Sequence, residues 1–200
     1  MEFFDGSFNT KALDGGSGYA WSLPSRIGRM LSYAEDLFGA RDKTWTILGV
    51  EICMDSTVPQ NWYPGSFEGR QNIIFQLVPP ADKDLVTACF QLSHEVVHAL
   101  SPALGHRCNV LEEGVASWFS EYYLEKELGI CRSYVSLPSY KAANALVKSL
   151  LAMDQYAIKK LRCVEPCFCK ITRDTFEKAA VVCSDNEIAA MLTPFVREMS

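Results

Sequence analysis

The chain has 200 residues, of which 48% are hydrophobic and 22% charged, and its net charge is −5. That composition excludes a disordered chain and fits one folded domain, or two lobes sharing a core. The acidic balance leaves no nucleic-acid footprint, no apolar run reaches the length of a membrane span, and the first residues lack a secretion signal, so a cytoplasmic location is expected.

Residues 9–25 are rich in Gly, Ser and Asp and read as a loop. Residues 26–38 predict a helix with Ile27, Met30, Leu31, Ala34, Leu37 and Phe38 on its apolar side and Gly39 as its stop. Residues 44–53 are β-like through Trp45, Ile47 and Val50. A long loop follows over 55–70, and a second strand covers 72–78 and ends at Pro79-Pro80. An apolar helix then starts near Asp82 or Asp84, where a carboxylate can cap free amide groups. It stops near Ser101-Pro102, because proline disfavours helical geometry in the residue before it.

A further helix opens at Val110, with Leu111, Val115, Trp118 and Tyr122 as its apolar stripe. Helices are also predicted over 139–153, 156–161 and 172–182. Ser184-Asp185-Asn186-Glu187 is a capping box opening a last helix that runs through Val196. The element order predicts an α+β class: a small mixed or antiparallel sheet packed on the central helix, then a mostly helical C-terminal lobe. The division falls between 1–103 and 104–200, inside a single domain.

The central helix carries His94-Glu95-Val96-Val97-His98, which uses two of the three histidines in the chain. Residues four apart lie on one helix face, so both imidazoles can reach one metal ion. Glu95 sits one step round from His94, placed to take a proton from a water on that ion. The flanks, from Gln91 to Leu100, carry no charge outside the motif, which predicts a buried helix with its polar atoms aimed at one point.

A catalytic zinc usually takes three protein ligands plus water. In the helix opening at Val110, Glu113, Ala116, Ser117 and Ser120 make a stripe of small residues headed by a carboxylate. Small side chains let two helices approach closely, which favours Glu113 as the third ligand. Glu112 is the alternate, about 100° away on the helix.

On His94-Glu95-x-x-His98 and Glu113-Gly114-Val115-Ala116 the chain resembles the gluzincin branch of the zincin metallopeptidases. The resemblance implies His94, His98 and Glu113 as zinc ligands, Glu95 as general base and a peptide or protein substrate. It implies a zincin-like fold in which the strand before the active helix is a sheet edge that an extended peptide joins. Only 14 residues separate His98 from Glu113, a tight connection. The metzincin pattern fails, since Ser101 and Leu104 stand where its Gly and third His would be.

The oxyanion of such a reaction needs a donor besides zinc. His106, Tyr122, Tyr123, Tyr134 and Tyr140 are candidates, and Glu121 is a candidate acceptor for an imidazole N–H. Arg107 shares the ambiguity of His106, for which the plainer reading is a surface histidine. Trp62, Tyr63 and Phe67 are candidates for the cleft rim. The eight cysteines are expected as reduced thiols, and Cys163-x3-Cys167-x-Cys169 lacks the paired spacing of a zinc ribbon. Two readings compete with that of a zinc-dependent peptidase. One is a non-hydrolytic binding or regulatory protein on the same scaffold, and the other is an effector or toxin protease with a narrow target.

Overall fold

In the computed structural model, residues 23–198 are described. Their elements run α1 (Leu23–Phe38), β1 (Trp45–Ile52), β2 (Gln60–Trp62), β3 (Ser66–Phe67), β4 (Arg70–Leu77), α2 (Leu85–His98), α3 (Val110–Leu128), α4 (Pro138–Met153), α5 (Ala157–Val164), α6 (Arg173–Lys178) and α7 (Asp185–Leu192). The expected loop over 9–25 lies outside the described residues as far as residue 22, and residues 23–25 already belong to α1. The class is α+β, with a mixed sheet.

β4 is the centre of that sheet. It pairs parallel with β1 on one side and antiparallel with β2 and β3 on the other. Alternation explains its depth: Ile73, Phe75 and Leu77 are fully buried against the helices, while Asn72, Ile74 and Gln76 point to the other face and are only partly buried. The strand that precedes the His94–His98 helix is therefore not a sheet edge. The segment read as an unbroken loop, 55–70, folds back and contributes β2 and β3. Strands of three and two residues are held by pairing to distant partners, so no local alternation announces them.

α2 begins where a cap is available. Asp84 accepts hydrogen bonds from the amides of Val86 and Thr87, and the helix closes at Ala99, whose N–H donates to the Glu95 carbonyl. It ends at His98, before the expected Ser101-Pro102 boundary. α3 is capped by Asn109 and stopped by Gly129, whose φ of +66° places it in the left-handed region that glycine tolerates. Between these ends α3 is enclosed by α2 and α4, and its residues 111–117 are all buried. The approach of α4 is closest at Gly114, where an added Cβ would lie 2.5 Å from the Ala143 carbonyl oxygen.

One apolar core runs through all layers, from Leu23 and Met30 of α1 through Phe75, Leu92 and Phe119 to Ile188 and Met191 of α7. Arg162 of α5 is buried in it. Its guanidinium donates to the carbonyls of Phe38, Gly39, Ala40 and Pro166, and burial pushes its pKa down to about 10. α7 stops at Leu192 rather than reaching Val196, because Pro194 cannot continue a helix. The chain instead turns back: Val110 N–H donates to Thr193 O and Phe195 N–H to Cys108 O, tying the C-terminal segment to the start of α3. No helix among the described residues is long and apolar enough to cross a membrane.

Candidate metal centre

α2 and α3 bring His94, His98 and Glu113 together. Glu113 Oε2 lies 3.2 Å from His94 Nε2 and 3.9 Å from His98 Nε2. One donor atom from each residue falls within 4.8 Å of the others. Nitrogen and oxygen ligands held tetrahedrally at zinc distances stand roughly 3.3–3.4 Å apart, so small side-chain adjustments would seat an ion. The donor set, two imidazoles and a carboxylate, is one that zinc favours. All three side chains are largely buried yet open to a cleft, leaving room for a fourth, exchangeable ligand.

Glu112, the alternate ligand, takes a different position. Its Oε1 sits 2.9 Å from His98 Nδ1, the ring nitrogen that does not face Glu113. Such a carboxylate fixes the tautomer and leaves Nε2 free to bind a cation. Asn109 sets both acids at once. Its side-chain oxygen accepts from the Glu112 amide, its carbonyl accepts from the Glu113 amide, and its Nδ2 donates to the Phe168 carbonyl. The sequence reading passed over Asn109, although an Asn directly before an apolar-periodic run is a cap signal.

The electrostatics call for positive charge. Burial opposes ionisation of Glu113, but the neighbouring His98 and His94 outweigh it and bring its pKa down to about 2. Burial likewise disfavours a charged His98, yet Glu113, Cys108 and Glu112 hold it well above the ordinary imidazole range. A buried Glu113 carboxylate needs positive charge beside it. A protonated His98 supplies one charge and a divalent ion would supply two.

Glu95 is buried, and burial raises its pKa, with His98 and His94 pulling part of the way back. A carboxylate shifted upward in this manner is a stronger base than an exposed one. Asn61 of β2 donates to the Glu95 carbonyl at 3.1 Å, fastening the sheet edge to the motif helix.

Two clefts, each of about 360 Å³, meet at this point. Both are lined by Pro59, His94, Glu95 and Tyr140. The first continues past Val78, Phe90, Tyr134 and Leu137, with polar side chains such as Thr87, Gln91 and Ser117 among them and Arg197 at its wall. The second passes Asn61 and Tyr63 towards His106 and Cys108.

Of the expected oxyanion donors, Tyr140 is the one shared by both clefts. Its ring centre is 5.8 Å from that of His94, and burial, reinforced by Glu113, pushes its hydroxyl up to about 12, so it stays a proton donor. Tyr134 lines only the first cleft, and His106 and Arg107 are exposed on the wall of the second. Tyr122 and Tyr123 are not at the site. Tyr122 stacks on Trp118, and Tyr123 accepts from Arg26 in the core, because both lie on the part of α3 that faces α1. Glu121 is also elsewhere: it accepts from Ser133, Asn144 and Lys148, pinning α4 to α3. Tyr63 reaches the second cleft, whereas Trp62 and Phe67 are exposed and line neither.

Cys167 and Cys169 have their sulfurs 3.2 Å apart, while Cys163 is exposed, and none of them belongs to a metal-ligand cluster among the described residues. No disulfide joins the eight cysteines. No protein-family model matches this chain, and no curated protein or solved structure matches it either.

Proposed function

We propose that this protein is a zinc-dependent peptidase with a gluzincin-like centre, His94, His98 and Glu113 being the ligands. The observation that carries the reading is the convergence of these three donors beside a buried Glu95, where two clefts join. One centre flanked by two open channels suits an extended chain lying across it with a bond to be cut in the middle.

Zinc, when bound, supplies Lewis acidity to water and to a carbonyl at neutral pH. Glu95 takes the proton of the attacking water and passes it to the leaving amine. Tyr140 donates its O–H to the oxygen on which charge develops. Glu112, at Nδ1, orients the His98 ring so that Nε2 faces the centre. β2 pairs with β4 alone among the described residues, and Gln60 and Asn61 line the second cleft, so β2 supplies the free edge that a substrate backbone would join. This replaces β4 in that role.

The test combines metal analysis with a peptide-library assay. One equivalent of zinc with hydrolysis is expected, and Glu95→Gln should keep the zinc and lose turnover. Failure to take up zinc would sink the metal centre. Stoichiometric zinc without cleavage of any library peptide would sink the peptidase and leave a binding protein.

A further inference from the structure

His98 presents two nitrogens, and only Nε2 is occupied by the centre proposed above. Its Nδ1 lies 2.9 Å from Glu112 Oε1 and 3.8 Å from Cys108 Sγ. Donor atoms of His98, Cys108 and Glu112 all fall within 4.8 Å of one another. In a tetrahedral zinc site the nitrogen–oxygen and nitrogen–sulfur separations are roughly 3.3 and 3.6 Å, and the observed distances straddle both. The three residues come from separate stretches of chain: the end of α2, the connection before α3, and the first turn of α3.

We propose that His98, Cys108 and Glu112 form a second metal site, selective for thiophilic divalent cations of the zinc type. A thiolate, an imidazole and a carboxylate make a set that zinc, cadmium or cobalt accepts and that magnesium or calcium does not. The site opens on the second cleft, whose wall also holds His106 and Cys169, so a fourth ligand can come from water or from that wall.

The shared ring couples the two sites. An ion on Nδ1 displaces the proton that Nδ1 otherwise donates to Glu112, leaving His98 a bridging imidazolate, and it displaces the thiol proton of Cys108; both protons pass to solvent. Two dications on one imidazole repel, so the second ion binds more weakly than the first. Nearby Glu112 and Glu113 offset part of that repulsion. The inference depends on the peptidase reading only through the role of His98 and stands whether or not peptides are cut.

Cobalt titration of the purified full chain, followed by metal analysis and near-ultraviolet absorbance, tests it. The expected result is an equivalent of cobalt accompanied by a thiolate-to-cobalt charge-transfer band. Cys108→Ser should abolish the band and that equivalent, while His94→Ala should leave both in place and remove only the other equivalent. Absence of the band in the unaltered chain overturns the proposal, so a variant that fails to fold cannot rescue it. Survival of the band in Cys108→Ser overturns it too, and so does loss of the band in a folded His94→Ala chain, which would mean one shared centre. A band kept in His94→Ala with no other equivalent in the unaltered chain upholds this site and sinks the His94 centre.

Discussion

Glu112 Oε1 stands 2.9 Å from His98 Nδ1, while the adjacent Glu113 reaches towards Nε2 of the same ring. Successive residues on a helix point about 100° apart, so two neighbouring acids can address two nitrogens of one imidazole. A carboxylate holding the non-ligating nitrogen orients the ring and raises its basicity. The pair of acids at the start of α3 is therefore divided between the two nitrogens of His98, and in the proposed first centre only Glu113 is a ligand.

Glu112→Ala should weaken the first equivalent of zinc by roughly 10–100-fold without removing it, the usual cost of losing such a partner. Glu113→Ala should abolish that equivalent. Competition against a chromogenic chelator measures both, and equal losses would show that Glu112 is a ligand of the first ion.

Tyr140→Phe should lower kcat by roughly 10²–10³-fold, as expected for one lost oxyanion donor, with zinc content unchanged. The ring is retained, so cleft shape and the contact with Phe195, 4.8 Å between ring centres, persist. A kcat close to that of the unaltered chain would pass the role to Tyr134 or His106.

Asp84→Ala should destabilise the fold by about 1 kcal/mol at neutral pH through loss of the α2 cap. Burial works against the Asp84 carboxylate, but hydrogen bonds from the Thr87 hydroxyl and amide and the Val86 amide outweigh it, keeping the pKa below the ordinary 3.8. Folding lowers this pKa, so the stabilisation is complete above 3.8 and fades as pH falls through the folded value. Urea unfolding of both chains across the acid range should show the gap closing at low pH.

Gly114→Ala sets helix propensity against packing. Alanine gains about 1 kcal/mol in a helix interior. The new Cβ would meet Ala143 O at 2.5 Å and Val147 Cγ2 at 2.7 Å, and a backbone oxygen cannot swing away. Overpacking of that kind costs about 1–3 kcal/mol and displaces α4, which carries Tyr140. The expected outcome is a lower urea midpoint together with reduced kcat. An unchanged midpoint would mean that α4 sits further from α3.

The α2 helix was legible from sequence alone, including the shared face of His94 and His98 and an aspartate cap at Asp82 or Asp84, of which the structure uses Asp84. Helical period and capping are local properties, so they survive without knowledge of the fold. The preference for Glu113 over Glu112 also came from local pattern, through the small-residue stripe, and the geometry sets the two acids on different nitrogens. What Glu112 does instead depends on which way the His98 ring turns, and that follows from how α2 crosses α3. Tyr140, alone of the five candidates, lines both clefts, a position that depends on α4 closing on Gly114. The free sheet edge moved from β4 to β2 because a three-residue strand is made by its partner rather than by its own residues. Cys108 acquires its place beside His98 from the tight connection and from residues 193–195 pairing back onto it. Local chemistry names the groups able to act, whereas long-range packing, which no short window encodes, decides which of them meet.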